Sequence, residues 1–235
     1  MTERFTVVIG PGEAPRVEKR GDPAALAREA AALAAVAGRP WAPALVGHEP
    51  GLLVTARVFG ETRDLARLGR LEARRLGTVL REVHGVRGAP AGVAAYREGR
   101  AADAERALAG TGEAGLPRRL ARWPVADGPL AFLHGDLVAA NVLWPPDGAP
   151  VLIDWEFARM GDPAEDLAYL AELNELPEAV LDAVLEGHAT PGMAARVEGW
   201  RGLVAADAAG WYLAHGMAAE AAPLLARARA RAARA

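Results

Sequence analysis

Asp136 and Asn141, five residues apart in HGDLVAANVLW, lie on a segment that leaves one short apolar stretch and enters another. Thirteen residues past the asparagine, Asp154 ends the apolar run VLID. These residue types suit phosphoryl transfer, in which a protein orients an attacking hydroxyl and neutralises a triphosphate, chiefly through magnesium held by oxygen ligands. Asp136 is the candidate base for the hydroxyl proton. The amide carbonyl of Asn141 and the carboxylate of Asp154 form a ligand pair for a hard cation. Singly, each also reads as a turn or cap residue, Asp136 and Asn141 in Asx turns and Asp154 at the start of the next element. The chemical reading is favoured because a lysine on an upstream strand, Lys19, and a glutamate on the helix after it, Glu29, accompany them.

Lys19 is singled out by composition too. Of 27 basic residues it is the one lysine, the rest being arginine. A compositional bias that replaces lysine wherever a generic positive charge suffices leaves lysine where the compact ammonium is needed, or by chance. The chain has no cysteine, which excludes disulfides, thiolate nucleophiles and cysteine-bound metals. A net charge of -3 with arginines dispersed among acids argues against nucleic acid as a partner. No apolar run reaches the roughly 18 residues of a membrane span, and MTERFTVVIG lacks the pattern of a secretory signal. A cytoplasmic location is expected, and no membrane partner.

The elements that must position these residues follow from periodicity and turn chemistry. FTVVI, the turn GPGEAP and RVEKR form a hairpin with Lys19 near its end. Asp22-Pro23 starts a helix that carries Glu29 and stops at Gly38. ALVGHE and LLVTARV form a second strand pair. From Asp64 to about His84 apolar residues recur at helical spacing, and further helices are expected within 91–123, 177–188 and 192–235. Two lobes are predicted: residues 1–58, β-rich and nucleotide-binding, and residues 59–235, helical and carrying the catalytic and metal-binding loops. The hinge falls near 56–62.

HGDLVAANVLW followed by VLIDWEFARMGDPAEDLAYL resembles the aminoglycoside phosphotransferase and choline kinase family, relatives of the protein kinases. The resemblance is close over about 130–170 and looser from Lys19 onward. It implies an α+β, bilobal protein-kinase-like fold, with a small, abbreviated β-rich N-lobe and a larger, mainly helical C-lobe. Lys19 then matches the lysine on the α- and β-phosphates and Glu29 its helix partner. Backbone groups of Ala56, Arg57 and Val58 match the hinge that holds the purine. Asp136 matches the base, Asn141 and Asp154 the magnesium ligands, His134 a brace of the catalytic loop, and Asp166 a structural aspartate. The implied co-substrate is ATP or GTP, and the implied partner a small-molecule hydroxyl acceptor. No oligomeric state is implied.

Two departures qualify the resemblance. One strand precedes the lysine strand where the kinase pattern has two, and GPGEAP, the one candidate phosphate loop, reads better as a plain hairpin turn. The chain also has Val138 where protein kinases carry a lysine, and no Ala-Pro-Glu element, so a small molecule is the better acceptor. Acceptor contacts are sought among Glu156, Trp200, Asp207, Trp211 and Tyr212, with Glu172 and Glu175 as further candidates. Aromatic faces beside a carboxylate would suit a cationic substrate, although such a stripe is more often helix core. A nucleotide-binding regulatory module with little catalysis is the alternative function. A metal-dependent hydrolase is weaker, because His134 is the sole histidine near the carboxylates.

Overall fold

Two antiparallel hairpins and a helix open the computed structural model, which describes residues 5–9, 15–86, 93–126, 128–146 and 148–234. β1 (Phe5–Ile9), β2 (Arg16–Arg20), β3 (Leu45–Glu49) and β4 (Leu52–Ala56) form a four-stranded sheet in the order β1-β2-β4-β3. In this register Lys19 on β2 lies opposite Leu53 on β4. The segment proposed from sequence as a phosphate loop, residues 10–14 of GPGEAP, lies outside the described residues. α1 (Pro23–Ala35) starts where Asp22 accepts the amide of Ala25 at 2.8 Å, with proline at the first helical position. Its buried face, Leu26, Glu29, Ala30 and Leu33, packs on this sheet and on the turn that follows Asp154.

The rest is mainly helical. α2 (Arg70–Val83), α3 (Val93–Ala107), α4 (Leu116–Ala121), α5 (Pro163–Leu173), α6 (Glu178–His188), α7 (Met193–Ala214) and α8 (Ala218–Ala232) surround an apolar core rich in leucine and alanine. The reading over 64–84 holds with one change, a separate 3-10 turn at Leu65–Arg67 before α2. α2 and α6 approach closely because glycines face the contact. A Cβ on Gly77 would lie 1.9 Å from the Val184 carbonyl oxygen, and one on Gly187 would lie 2.0 Å from that of Arg74. α5 has the same start signal as α1, Asp162 accepting the amide of Ala164 at 3.0 Å ahead of Pro163, yet it was not among the predicted helices.

Five short strands lie across this helical body. β6 (Ala131–Leu133) pairs with β9 (Arg159–Gly161), and β7 (Val142–Trp144) lies between β5 (Glu61–Thr62) and β8 (Val151–Leu152). An aromatic cluster ties the two parts of the chain together. Trp155, fully buried, stacks with Phe132 at 5.8 Å, meets His134 edge-on at 4.6 Å and touches Trp41 at 5.7 Å. The carbonyl of Trp41 also accepts the amide of Leu152 at 2.9 Å, and its indole donates to Glu82 at 2.9 Å. Segments far apart in sequence are thereby held in fixed relation.

Candidate active site

The loop from β6 to β7 carries Asp136 and Asn141. Gly135 takes φ 84°, and a Cβ there would lie 2.3 Å from the Phe157 carbonyl oxygen, so the chain passes where only glycine fits. Behind the loop, the wholly buried carboxylate of Asp166 accepts the amides of His134 at 2.8 Å and Gly135 at 2.9 Å. His84 approaches it with Nε2 at 3.2 Å, and His188 lies 3.0 Å from His84 Nδ1. Burial opposes ionisation of Asp166, but the hydrogen bond and charge of His84 hold its pKa below the usual value.

His134 joins the two loops of the site. Its Nε2 donates to the Ile153 carbonyl at 2.9 Å and its Nδ1 accepts the Asp136 amide at 3.3 Å. Both bonds require one proton on the ring, and complete burial depresses its pKa, so the imidazole is neutral. Asp154 follows at once, in the left-handed conformation at φ 64°. The side-chain amide of Asn141 donates to Asp136 Oδ2 at 2.8 Å, which leaves its carbonyl oxygen for other partners. Burial raises the pKa of Asp136, against the opposing influence of His134 and Asn141.

Lys19 bridges two carboxylates. Its ammonium donates to Glu29 at 2.8 Å and forms a short ion pair with Asp154. Burial lowers its pKa, but these two neighbours outweigh that and hold the ammonium charged. Glu29, Asp154 and Glu156 place one carboxylate oxygen each within 4.8 Å of one another, a set of hard donors that fits a divalent cation such as magnesium.

Two openings meet here. A cleft of about 210 Å³ is lined by Val17, Lys19, Leu53, Val58, Asn141 and Asp154. A cavity of about 730 Å³ opens at Asp136, Glu156, Arg28, Arg100, Asp207 and Trp211. Of the hinge residues, Ala56 and Val58 line the smaller cleft and Arg57 does not. The Arg57 amide donates to the Pro15 carbonyl at 2.9 Å as an extension of the sheet, and its guanidinium lies 4.7 Å over Phe59.

Three acceptor candidates are corrected by this geometry. Trp200 is fully buried, donates to Asp162 at 2.7 Å and lies outside the cavity lining. It shares a helical face with Asp207 and Trp211, but at about 1.5 Å rise per residue it sits about 10 Å deeper along α7 than Asp207. Glu172 is buried and binds Arg201 at 2.6 Å and Arg227 at 2.9 Å, joining α5 to α7 and α8. Glu175 pairs with Arg227 at 3.0 Å on the surface. Glu156, Asp207, Trp211 and Tyr212 do line the cavity, as do Arg28, Arg100, Arg159 and Tyr169, which no sequence signal distinguished.

The sequence profile of the phosphotransferase enzyme family matches residues 14–203. The chain belongs to this family. Over 81 residues it is 42% identical to viomycin phosphotransferase of Streptomyces vinaceus, a match covering 32% of this chain and 28% of that relative. Among solved structures, choline kinase LicA from Streptococcus pneumoniae aligns with TM-score 0.75 at 15% identity, covering 98% of this chain and 90% of that one. The apoenzyme of macrolide 2'-phosphotransferase MphH from Brachybacterium faecium aligns with TM-score 0.68 at 21% identity, covering 96% and 90% of the two chains. At such identities the likeness establishes the fold, which is the bilobal protein-kinase-like α+β fold expected from sequence. Among the described residues, no helix is long and apolar enough to cross a membrane.

Proposed function

We propose that this family member is a small-molecule kinase that moves the γ-phosphoryl group of ATP or GTP to a hydroxyl of a small metabolite or antibiotic. The observation that carries this reading is the Asn141–Asp136 hydrogen bond. Asn141 lines the smaller cleft and Asp136 the larger cavity, so groups bound in the two openings meet across one contact. The acceptor oxygen attacks the γ-phosphorus, the bond to the β-phosphate oxygen breaks, the hydroxyl proton passes to Asp136, and nucleoside diphosphate leaves.

Residues 1–58 bind the nucleotide in this reading and residues 59–235 carry the catalytic and metal-binding loops. Backbone groups of Ala56 and Val58 hold the purine. Lys19, set by Glu29, holds the α- and β-phosphates. Asn141 and Asp154 hold magnesium, with Glu156 and Glu29 close enough to share its field. When bound, the ion offsets negative charge on the triphosphate. His134 and Asp166 support the catalytic loop from behind. The cytoplasm, which supplies nucleoside triphosphate, is the proposed location.

Asp136→Asn tests the proposal. Magnesium-dependent release of nucleoside diphosphate in the presence of an acceptor should fall by about 10²–10⁴-fold, the usual contribution of a positioned base, while nucleotide affinity is retained. Turnover equal to the parent would refute the role of Asp136. Nucleotide binding without turnover across a broad acceptor panel would instead identify a regulatory module.

A further inference from the structure

Lys19, Arg28, Arg100 and Arg159 are the cations lining the two openings among the described residues. Lys19 is bonded to Glu29 at 2.8 Å and paired with Asp154. Arg100 donates to Glu165 at 2.8 Å and to Asp207 at 2.7 Å. Arg159 donates to the same Glu165 at 2.9 Å and to the Phe157 carbonyl at 3.0 Å. Arg28 is different. It is exposed and makes no hydrogen bond or ion pair with another described residue. Its guanidinium is free to take up an anion, whereas Arg100 and Arg159 would first have to give up the buried carboxylate of Glu165.

α1 places this free cation beside the groups proposed to react. Arg28 and Glu29 are neighbours on the helix, about 100° apart around its axis. Glu29 turns inward to Lys19 at the smaller cleft, and Arg28 lines the larger cavity together with Asp136. The helix also packs on the turn Trp155–Phe157 that follows Asp154. One rigid element thus carries both the carboxylate that sets Lys19 and a guanidinium at the opening where the base stands. Arg28 is not paired with that base, whose Oδ2 accepts from Asn141 at 2.8 Å.

Resting on the kinase reading, we infer that Arg28 is a further catalytic residue, whose guanidinium closes on the γ-phosphoryl group as that group passes from the smaller cleft to the hydroxyl at Asp136. Negative charge spreads over the three equatorial oxygens of a phosphoryl group in flight, and the planar fork of an arginine meets two of them at once. Lys19 stays behind on the α- and β-phosphates. The bond made is from the acceptor oxygen to the γ-phosphorus and the bond broken is to the β-phosphate oxygen. The hydroxyl proton goes to Asp136, and Arg28 remains charged throughout.

Aluminium fluoride with magnesium and ADP or GDP mimics the phosphoryl group in flight, and its binding to the full chain is compared by calorimetry with that of magnesium and AMP-PNP or GMP-PNP. Arg28 is exposed, so Arg28→Ala should melt at the parental temperature. The variant should bind the fluoride complex about 10²-fold more weakly than the parent, with affinity for the intact triphosphate analogue unchanged. Arg28→Lys should recover part of the loss, since a point charge lacks the fork. With choline, gentamicin, erythromycin and viomycin offered as acceptors, kcat of Arg28→Ala should fall about 10³-fold at unchanged KM for nucleotide and acceptor, and added guanidinium chloride should restore part of the rate. Equal affinity of parent and Arg28→Ala for the fluoride complex would overturn the inference and leave the kinase reading standing. A loss confined to the KM of the acceptor would do the same, and would make Arg28 a binding group only. A parent that binds neither nucleotide complex would overturn both.

Discussion

Asn141 donates its side-chain amide to Asp136 twice, to Oδ2 at 2.8 Å and to the backbone oxygen at 3.0 Å. One residue thus orients the carboxylate and also lines the cleft that Asp154 lines. The bond also lowers the pKa of Asp136, against the larger upward effect of burial. Asn141→Ala removes that restraint. The acid limb of kcat/KM should move to higher pH, because a base with a higher pKa is ionised over a narrower range. The magnesium concentration for half-maximal rate should rise about 10-fold or more, the usual scale for loss of groups that tune a metal site. A pH–rate profile and a magnesium titration check both.

Lys19 pairs with Glu29 and Asp154, whose carboxylates lie within 4.8 Å of that of Glu156. Lys19→Ala leaves these carboxylates facing one another. The loss of stability should fall below the ~3–5 kcal/mol of a fully buried broken pair, since the Asp154 side chain is 32% exposed. Magnesium should raise the melting temperature of the variant more than that of the parent, because the ion supplies the missing charge. Lys19→Arg should not restore turnover, as the planar guanidinium is wider than the ammonium it replaces. Differential scanning fluorimetry with and without magnesium reads the first effect and an activity assay the second.

Asp166 touches neither opening. It accepts the backbone amides of His134 and Gly135 and faces His84 from a fully buried position. Asp166→Ala leaves those amides unsatisfied and should cost about 3–5 kcal/mol in urea unfolding. Asp166→Asn keeps one acceptor oxygen and should cost less. If Asp166→Ala unfolds at the parental urea midpoint, the support assigned to it is wrong.

Burial drops the pKa of His188 from 6.5 to about 3, with His84, Arg81 and Arg196 adding to the effect. The unfolded chain then binds more protons than the folded one between those values. Stability conferred by the neutral ring is complete above about pH 6.5 and is lost as pH falls toward 3, with a slope of at most about 1.4 kcal/mol per pH unit. His188→Gln should flatten the dependence of unfolding free energy on pH across this window. An unchanged slope would mean that His188 does not titrate as described.

The strand pairs, the helix begun by Asp22-Pro23, the helical stretch within 64–84 and the spacing of Asp136, Asn141 and Asp154 were legible in the sequence, because turn residues, caps and loop motifs act over a few positions. The same local signal at Asp162-Pro163 starts α5, which lies outside the helices expected from periodicity. What surrounds the larger cavity was not legible. Arg28, Arg100 and Arg159 are three arginines in an arginine-rich chain, and only packing sets them around one cavity. Trp200 and Trp211 share a face of α7, yet depth along the helix puts one in the core and the other at the opening. Likewise Asp207 reads as a free carboxylate until Arg100, 107 residues away, is found bonded to it. Asp136, Asn141 and Asp154, proposed for catalysis and metal binding, could be named from local spacing. Burial and charge pairing depend on neighbours brought together across the whole chain, and those decide which groups the cavity presents.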